Sequence, residues 1–220
     1  MSPRFVRSLF ALALVVTTLA IAAPAQAGPP LLCHPFDIGD AKSLPWDGAT
    51  GLSTGRADYA IDRLVADTEA LLVPATPAIV RMETLRRAAI YASRDRQVAT
   101  RLLDRLTARV QASEQAGTPD PLAMLDAAYV TEAYRQIGMM GRNAGFGDRP
   151  SNARAVVGAS DGTTLMAKCL AARPDDAALA FAAALMAADK NRSAYEAHAR
   201  KARAGAASDP LLRRNLNHIS

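Results

Sequence analysis

An all-helical domain is what this sequence predicts, and three observations carry that prediction. From Arg56 onward apolar residues recur at intervals of three and four, the period of a helix, and no stretch reads as a sheet strand. Alanine dominates the C-terminal third, with eight between Ala177 and Ala188, and alanine is the strongest helix former. Prolines and glycines crowd residues 28–55 and then punctuate the gaps between periodic stretches. The expected fold is an antiparallel helical bundle or short α-solenoid of about seven helices, preceded by an extended Pro/Gly-rich N-terminal arm.

Residues 1–27 read as a signal peptide. Arg4 and Arg7 form a positive start, Leu9 to Ala23 an apolar run of fifteen residues, and Ala25-Gln26-Ala27 a small-x-small cleavage site. Fifteen residues fall short of the roughly 20 needed to span a bilayer. The two arginines are not adjacent, so the general secretory route, not the twin-arginine one, is expected. The predicted location is exported, in a bacterial periplasm or secreted, with no stable membrane insertion after cleavage.

Residues 28–55 form the arm, in which Pro29, Pro30, Pro35, Pro45, Gly39, Gly48, Gly51 and Gly55 prevent a sustained helix. Phe36, Ile38, Leu44 and Trp46 make it too apolar for a solvated tail, so it is expected to pack on the body. Residues 56–220 then form a single all-helical domain. A first helix spans 56–72 behind Thr54 as N-cap, with Ile61, Leu64, Val65, Thr68, Leu71 and Leu72 on one stripe, and Pro74 and Pro77 end it. A second covers 78–92, a weak point falls at 93–96, and Val98, Leu102, Leu106 and Val110 mark a third.

The fourth helix runs from about 120 to 137 and stops at Gly138 and Gly141; a glycine-rich loop covers 141–162. Further helices are expected at 163–172, 175–188 and 193–204, with a last turn or two at 210–217.

The chain carries a formal net charge of +5; residues 1–27 hold two arginines and no acid, so cleavage lowers it to +3. So mild an excess on an exported protein argues against nucleic acid as a partner. Two cysteines, an even number in an oxidising compartment, predict a disulfide between Cys33 and Cys169 that ties the arm to a late helix. His34, His198 and His218 are scattered, and neither His-Glu-x-x-His nor Cys-x-x-Cys-His is present, so no metal and no cofactor are expected.

No residue reads as catalytic. The tentative binding residues are His34 and Trp46 in the arm and Arg142, Asp148 and Arg149 in the glycine-rich loop, where backbone can approach a ligand and arginine can grip an anion. Tyr129, Glu132 and Arg135 share a face of the fourth helix and read as a surface ion pair beside a core tyrosine. Arg87, Arg94, Arg101, Arg105 and Arg109 would line one face of a continuous helix, but the break near Ser93 disperses them.

Pro174-Asp175-Asp176 opens the alanine block, and Pro210 follows 36 residues later, with small residues at Ala184, Ala197 and Ala204. This segment, about residues 174–210, resembles a tetratricopeptide repeat. The family pattern differs in placing large residues near Ala180 and Ala187 and in a spacing of 34 residues. The resemblance implies a scaffold that binds a protein or peptide on a concave face. The functional expectation is therefore an exported, non-catalytic scaffold or adaptor of the cell envelope; the alternative is an envelope enzyme with its site near the glycine-rich loop.

Overall fold

The computed structural model describes residues 29–47, 55–141 and 147–219. The signal-peptide segment, Thr54 and Arg142 lie outside the described residues. Among those described there is no strand, and nine α-helices follow one another: α1 (Leu64–Leu71), α2 (Ala78–Ala92), α3 (Arg96–Gln115), α4 (Pro121–Met139), α5 (Arg149–Val157), α6 (Gly162–Ala172), α7 (Ala177–Ala187), α8 (Arg192–Gly205) and α9 (Pro210–Arg214). A 3-10 turn at Ile61–Arg63 leads into α1, and another at Leu216–Ile219 ends the described chain. The all-helical prediction holds.

Local chemistry sets the helix starts. Asp95, Asp120, Asp161, Asp176, Asn191 and Asp209 each accept a backbone N–H in the first turn of the following helix. Each such cap stabilises its helix by about 1 kcal/mol.

Helix α4 is the hub, touching α2, α3, α5, α6 and α7, and it is buried without a break from Leu122 to Tyr134. Tyr134 donates to the Ala99 carbonyl at 3.3 Å while Arg109 pairs with Asp126 at 3.3 Å, so α3 runs antiparallel to α4. Gly162 abuts Ala128 and Cys169 donates to the Pro121 carbonyl, so α6 runs antiparallel as well. The α7–α8 pair closes the same way, with Gly205 pressed against Ala177; a Cβ at Gly205 would lie 2.3 Å from that methyl.

Two elements depart from the sequence prediction. Helix α1 begins at Leu64 instead of residue 56 because side chains hold the preceding backbone elsewhere. The Arg56 N–H donates to the Tyr91 hydroxyl at 2.9 Å, and Tyr59 stacks on Tyr91 at 4.5 Å while donating to Asp67. Helix α5 occupies part of the expected loop 141–162. Pro150 sits in its first turn, where a missing N–H costs nothing; Ala153 and Val157 are buried one turn apart, and Gly158, at φ 52°, ends it. With α5 and the short α9, the described residues hold nine α-helices where about seven were expected.

The arm packs on the body as a structure without regular backbone pairing. Leu31, Leu32, Phe36 and Leu44 are buried, and side chains of α2 and α4 bind the arm's backbone. Gln136 accepts from the Leu31 N–H at 3.0 Å and Tyr129 donates to the Leu31 carbonyl at 2.7 Å. Glu83 accepts from the Phe36 N–H at 3.0 Å, Arg86 donates to the Leu32 carbonyl, Arg87 to that of Leu44 and Tyr91 to that of Pro45.

The predicted bridge between Cys33 and Cys169 is corrected: both thiols are free and buried. Leu31 is anchored at Tyr129 and Gln136, whereas Cys169 sits on Pro121, eight or more residues down α4. At 1.5 Å per residue that is about 12 Å, roughly twice the Cα separation a disulfide spans. Burial raises both thiols, Cys169 to about 12, so each behaves as an apolar core group.

Candidate functional site

Alanine decides where this surface is concave. Helix α7 lies between α6 and α8, and its small residues leave room above it that neither flanking helix fills. The resulting groove has a volume of about 540 Å³. Its floor is Ala183, Met186 and Ala187 of α7. One wall is Thr163, Met166, Ala167 and Leu170, at i, i+3, i+4 and i+7 of α6, and the other is Ala194 and His198, one turn apart on α8. Lys190 and Asn191 close one end, and Asn191 also caps α8 by accepting from the Ala194 N–H at 3.0 Å.

A second, more polar cavity of about 510 Å³ continues from that end, sharing Thr163, Met186 and Lys190 with the groove. Glu132 is its organising residue. It is buried, accepts from the Gly162 N–H at 2.9 Å and pairs with Lys190 at 2.5 Å, with Arg135 at 3.9 Å. A Cβ at Gly162 would lie 2.5 Å from the Ala128 carbonyl oxygen, so only glycine lets α6 start this close to α4. Asp161 caps α6; hydrogen bonds from the Thr163 hydroxyl and N–H hold its carboxyl below the usual range. Asp189, Met139 and Ala159 complete the rim.

The sequence-predicted binding residues do not converge here. His34 lies in the arm, its ring 6.3 Å from that of His218. Trp46 packs edge-on against Tyr91 at 5.6 Å, with Arg86 4.9 Å from its ring, a structural seat for the arm. Asp148 precedes α5 and its carbonyl accepts from Ser151; Arg149 is half-buried, and burial beside Arg94 lowers its pKa. Arg142 lies outside the described residues, and none of His34, Trp46, Asp148 and Arg149 lines the groove or the cavity beside it.

Two readings on the fourth helix and after it also change. Glu132 is not a surface residue, because α6 and Lys190 cover it. His198 is half-buried in the groove wall, and burial with Lys201 nearby lowers its pKa, so it is neutral at pH 7. The periodic signal was present: Met166 and Leu170 on α6 and Ala183 and Ala187 on α7 repeat at helical spacing, but core and groove stripes look alike in sequence.

Gly158-Ala159-Ser160-Asp161-Gly162 spells Gly-x-Ser-x-Gly, the pattern of a nucleophile elbow. A nucleophile elbow needs a strand-to-helix turn and a base within hydrogen-bond reach. Here the run joins two helices, and Arg135 donates to the Ser160 carbonyl at 2.9 Å. His198 has no hydroxyl, thiol or carboxylate hydrogen-bonded to it among the described residues. The described residues hold no group of three His, Cys, Asp or Glu side chains that could hold a metal. What the arrangement offers is an apolar trough with a charged end.

Comparison with protein-family models, curated proteins and solved structures gives no match.

Proposed function

We propose that this protein is an exported, non-catalytic helical scaffold that binds a protein or peptide of the cell envelope in the α6–α8 groove. One observation carries the reading: three helices turn a periodic face of small and flexible apolar residues toward a trough of about 540 Å³. Alanine lets another backbone approach, and the thioethers of Met166 and Met186 adapt to the groups it brings. The resemblance of residues 174–210 to a tetratricopeptide repeat supports the same reading, since α7 and α8 are the pair it covers. The signal-peptide pattern of residues 1–27 supports export.

Co-purification from the envelope fraction tests it. The wild-type chain should retain a partner that Ala187→Trp, which fills the trough, loses. A partner retained equally by both would remove the groove from the proposal.

A further inference from the structure

The charged end of the groove says more about its occupant than the apolar floor does. Three carboxylates, Glu132, Asp161 and Asp189, face two cations, Lys190 and Arg135. Lys190 is committed to Glu132 at 2.5 Å and lies 4.0 Å from Asp161, and Arg135 is committed to the Ser160 carbonyl and to Glu132. One negative charge is left over. It belongs at the rim, because Glu132 is enclosed whereas the Asp161 side chain is 49% exposed and Asp189 is exposed with no ion pair among the described residues.

The opposite end makes no such demand. Lys201, one turn beyond His198 on α8, donates to the Pro174 carbonyl and lies 3.9 Å from Asp175, and His198 is neutral. The groove is therefore polarised: apolar along its length, anionic where it meets the polar cavity.

Length and bulk complete the description. The α6 wall runs from Thr163 to Leu170, seven residue steps or about 10 Å, which matches two turns of an opposing helix. Its floor is mostly alanine, so the bulk must come from the partner. We infer that the groove receives a short amphipathic helix that presents large apolar side chains at i, i+3, i+4 and i+7 and a lysine or arginine at the end over Asp161 and Asp189. This rests on the groove being the binding site proposed above, and it adds the sign and position of the partner's charge. A cation placed there gains from both rim carboxylates without displacing Lys190 from Glu132.

The test uses the full chain and three synthetic, fluorescein-labelled helical peptides with leucine at those four positions on an alanine/glutamine background. They differ only at the terminal position, which carries lysine, glutamine or glutamate. Fluorescence anisotropy at about 50 mM salt should rank lysine above glutamine above glutamate, with about tenfold between the extremes, and the gap should narrow at high salt. Asp189→Lys, an exposed turn position, should reverse that order while its thermal melt stays that of the wild type. Ala187→Trp should abolish binding of all three. Equal affinity for the three peptides, or tighter binding of the glutamate peptide, with Ala187→Trp still blocking, would overturn the cationic end and leave the groove standing. Binding that Ala187→Trp does not touch, or no binding by any peptide, would overturn both.

Discussion

The half of the molecule built from the arm, α2 and α4 and the half built from α6, α7 and α8 solve the burial problem in opposite ways. In the first, charge goes inside. Arg81 pairs with Asp126 at 2.6 Å with both side chains at 1% exposure or less, and Glu83 binds Arg86 and Arg87 at 2.7 and 2.6 Å. In the second, α7 has nine consecutive buried residues, and none of them is charged. The cause is irregular backbone: the arm, bound by Glu83, Arg86 and Arg87, and the connection between α1 and α2, whose Leu72, Val73 and Thr76 carbonyls accept from Arg81. A segment with no ladder or helix of its own must find partners for its buried N–H and C=O groups, and only long polar side chains can reach them. Where helices pack on helices, backbone groups are already satisfied, and small residues suffice. One half is therefore closed and specific, the other close-packed below and open above.

The sharpest way to break that contrast is at Glu83, whose carboxylate serves Arg86, Arg87 and the Phe36 N–H together. Glu83→Ala leaves the fully buried Arg86 guanidinium without its counter-charge and should cost about 3–5 kcal/mol in urea denaturation. A loss under about 1 kcal/mol would mean the arm does not depend on the buried charges.

On the other side, Gly162→Ala places a methyl 2.5 Å from the Ala128 carbonyl oxygen. The overpacking should cost about 1–3 kcal/mol, against the small gain alanine usually brings to a helix. It should also weaken peptide binding by moving Asp161. A stabilised variant would show that α4 and α6 are not in close contact there.

The smallest effect belongs to the seam, where His218 packs between Phe36 of the arm and Phe181 of α7. Burial, with His34 nearby, lowers its pKa to about 4. The unfolded chain then takes up the proton more readily than the folded one, so stability should fall as pH drops from about 6.5 to about 4. For a half-buried ring the change should be about 1 kcal/mol, and His218→Phe should reduce it. An identical pH profile in the variant would exclude His218 as its source. Asp126 acts in the opposite sense: burial raises it to about 6 against the pull of Arg81 and Arg109. Comparing wild type with the variant cancels that contribution.

Much of the helical body was legible because its signals are local. The α2 boundaries follow from the apolar period, and α7 from its alanine block. Helix α5 went unread because glycines on both sides masked its Pro150 start and its Ala153–Val157 spacing. The site was far less legible. His34 and Trp46 stood out as unusual residues in an arm, yet their distinctiveness reflects how the arm is seated. The groove residues are common ones, and nothing in a list of alanines and methionines separates a stripe facing a neighbour from a stripe facing a trough.

What the sequence by itself determined is the all-helical class, most of the helices, and an arm too apolar to remain in water, because period and propensity act over a few residues. Only the tertiary structure decided that Cys33 and Cys169 stay apart, that Glu132 is enclosed, and that α6 and α8 flank α7 without closing over it. Each of those depends on which residues far apart in the chain meet across α4. Packing distance is set there by single groups such as the hydrogen of Gly162, whose role no local pattern announces.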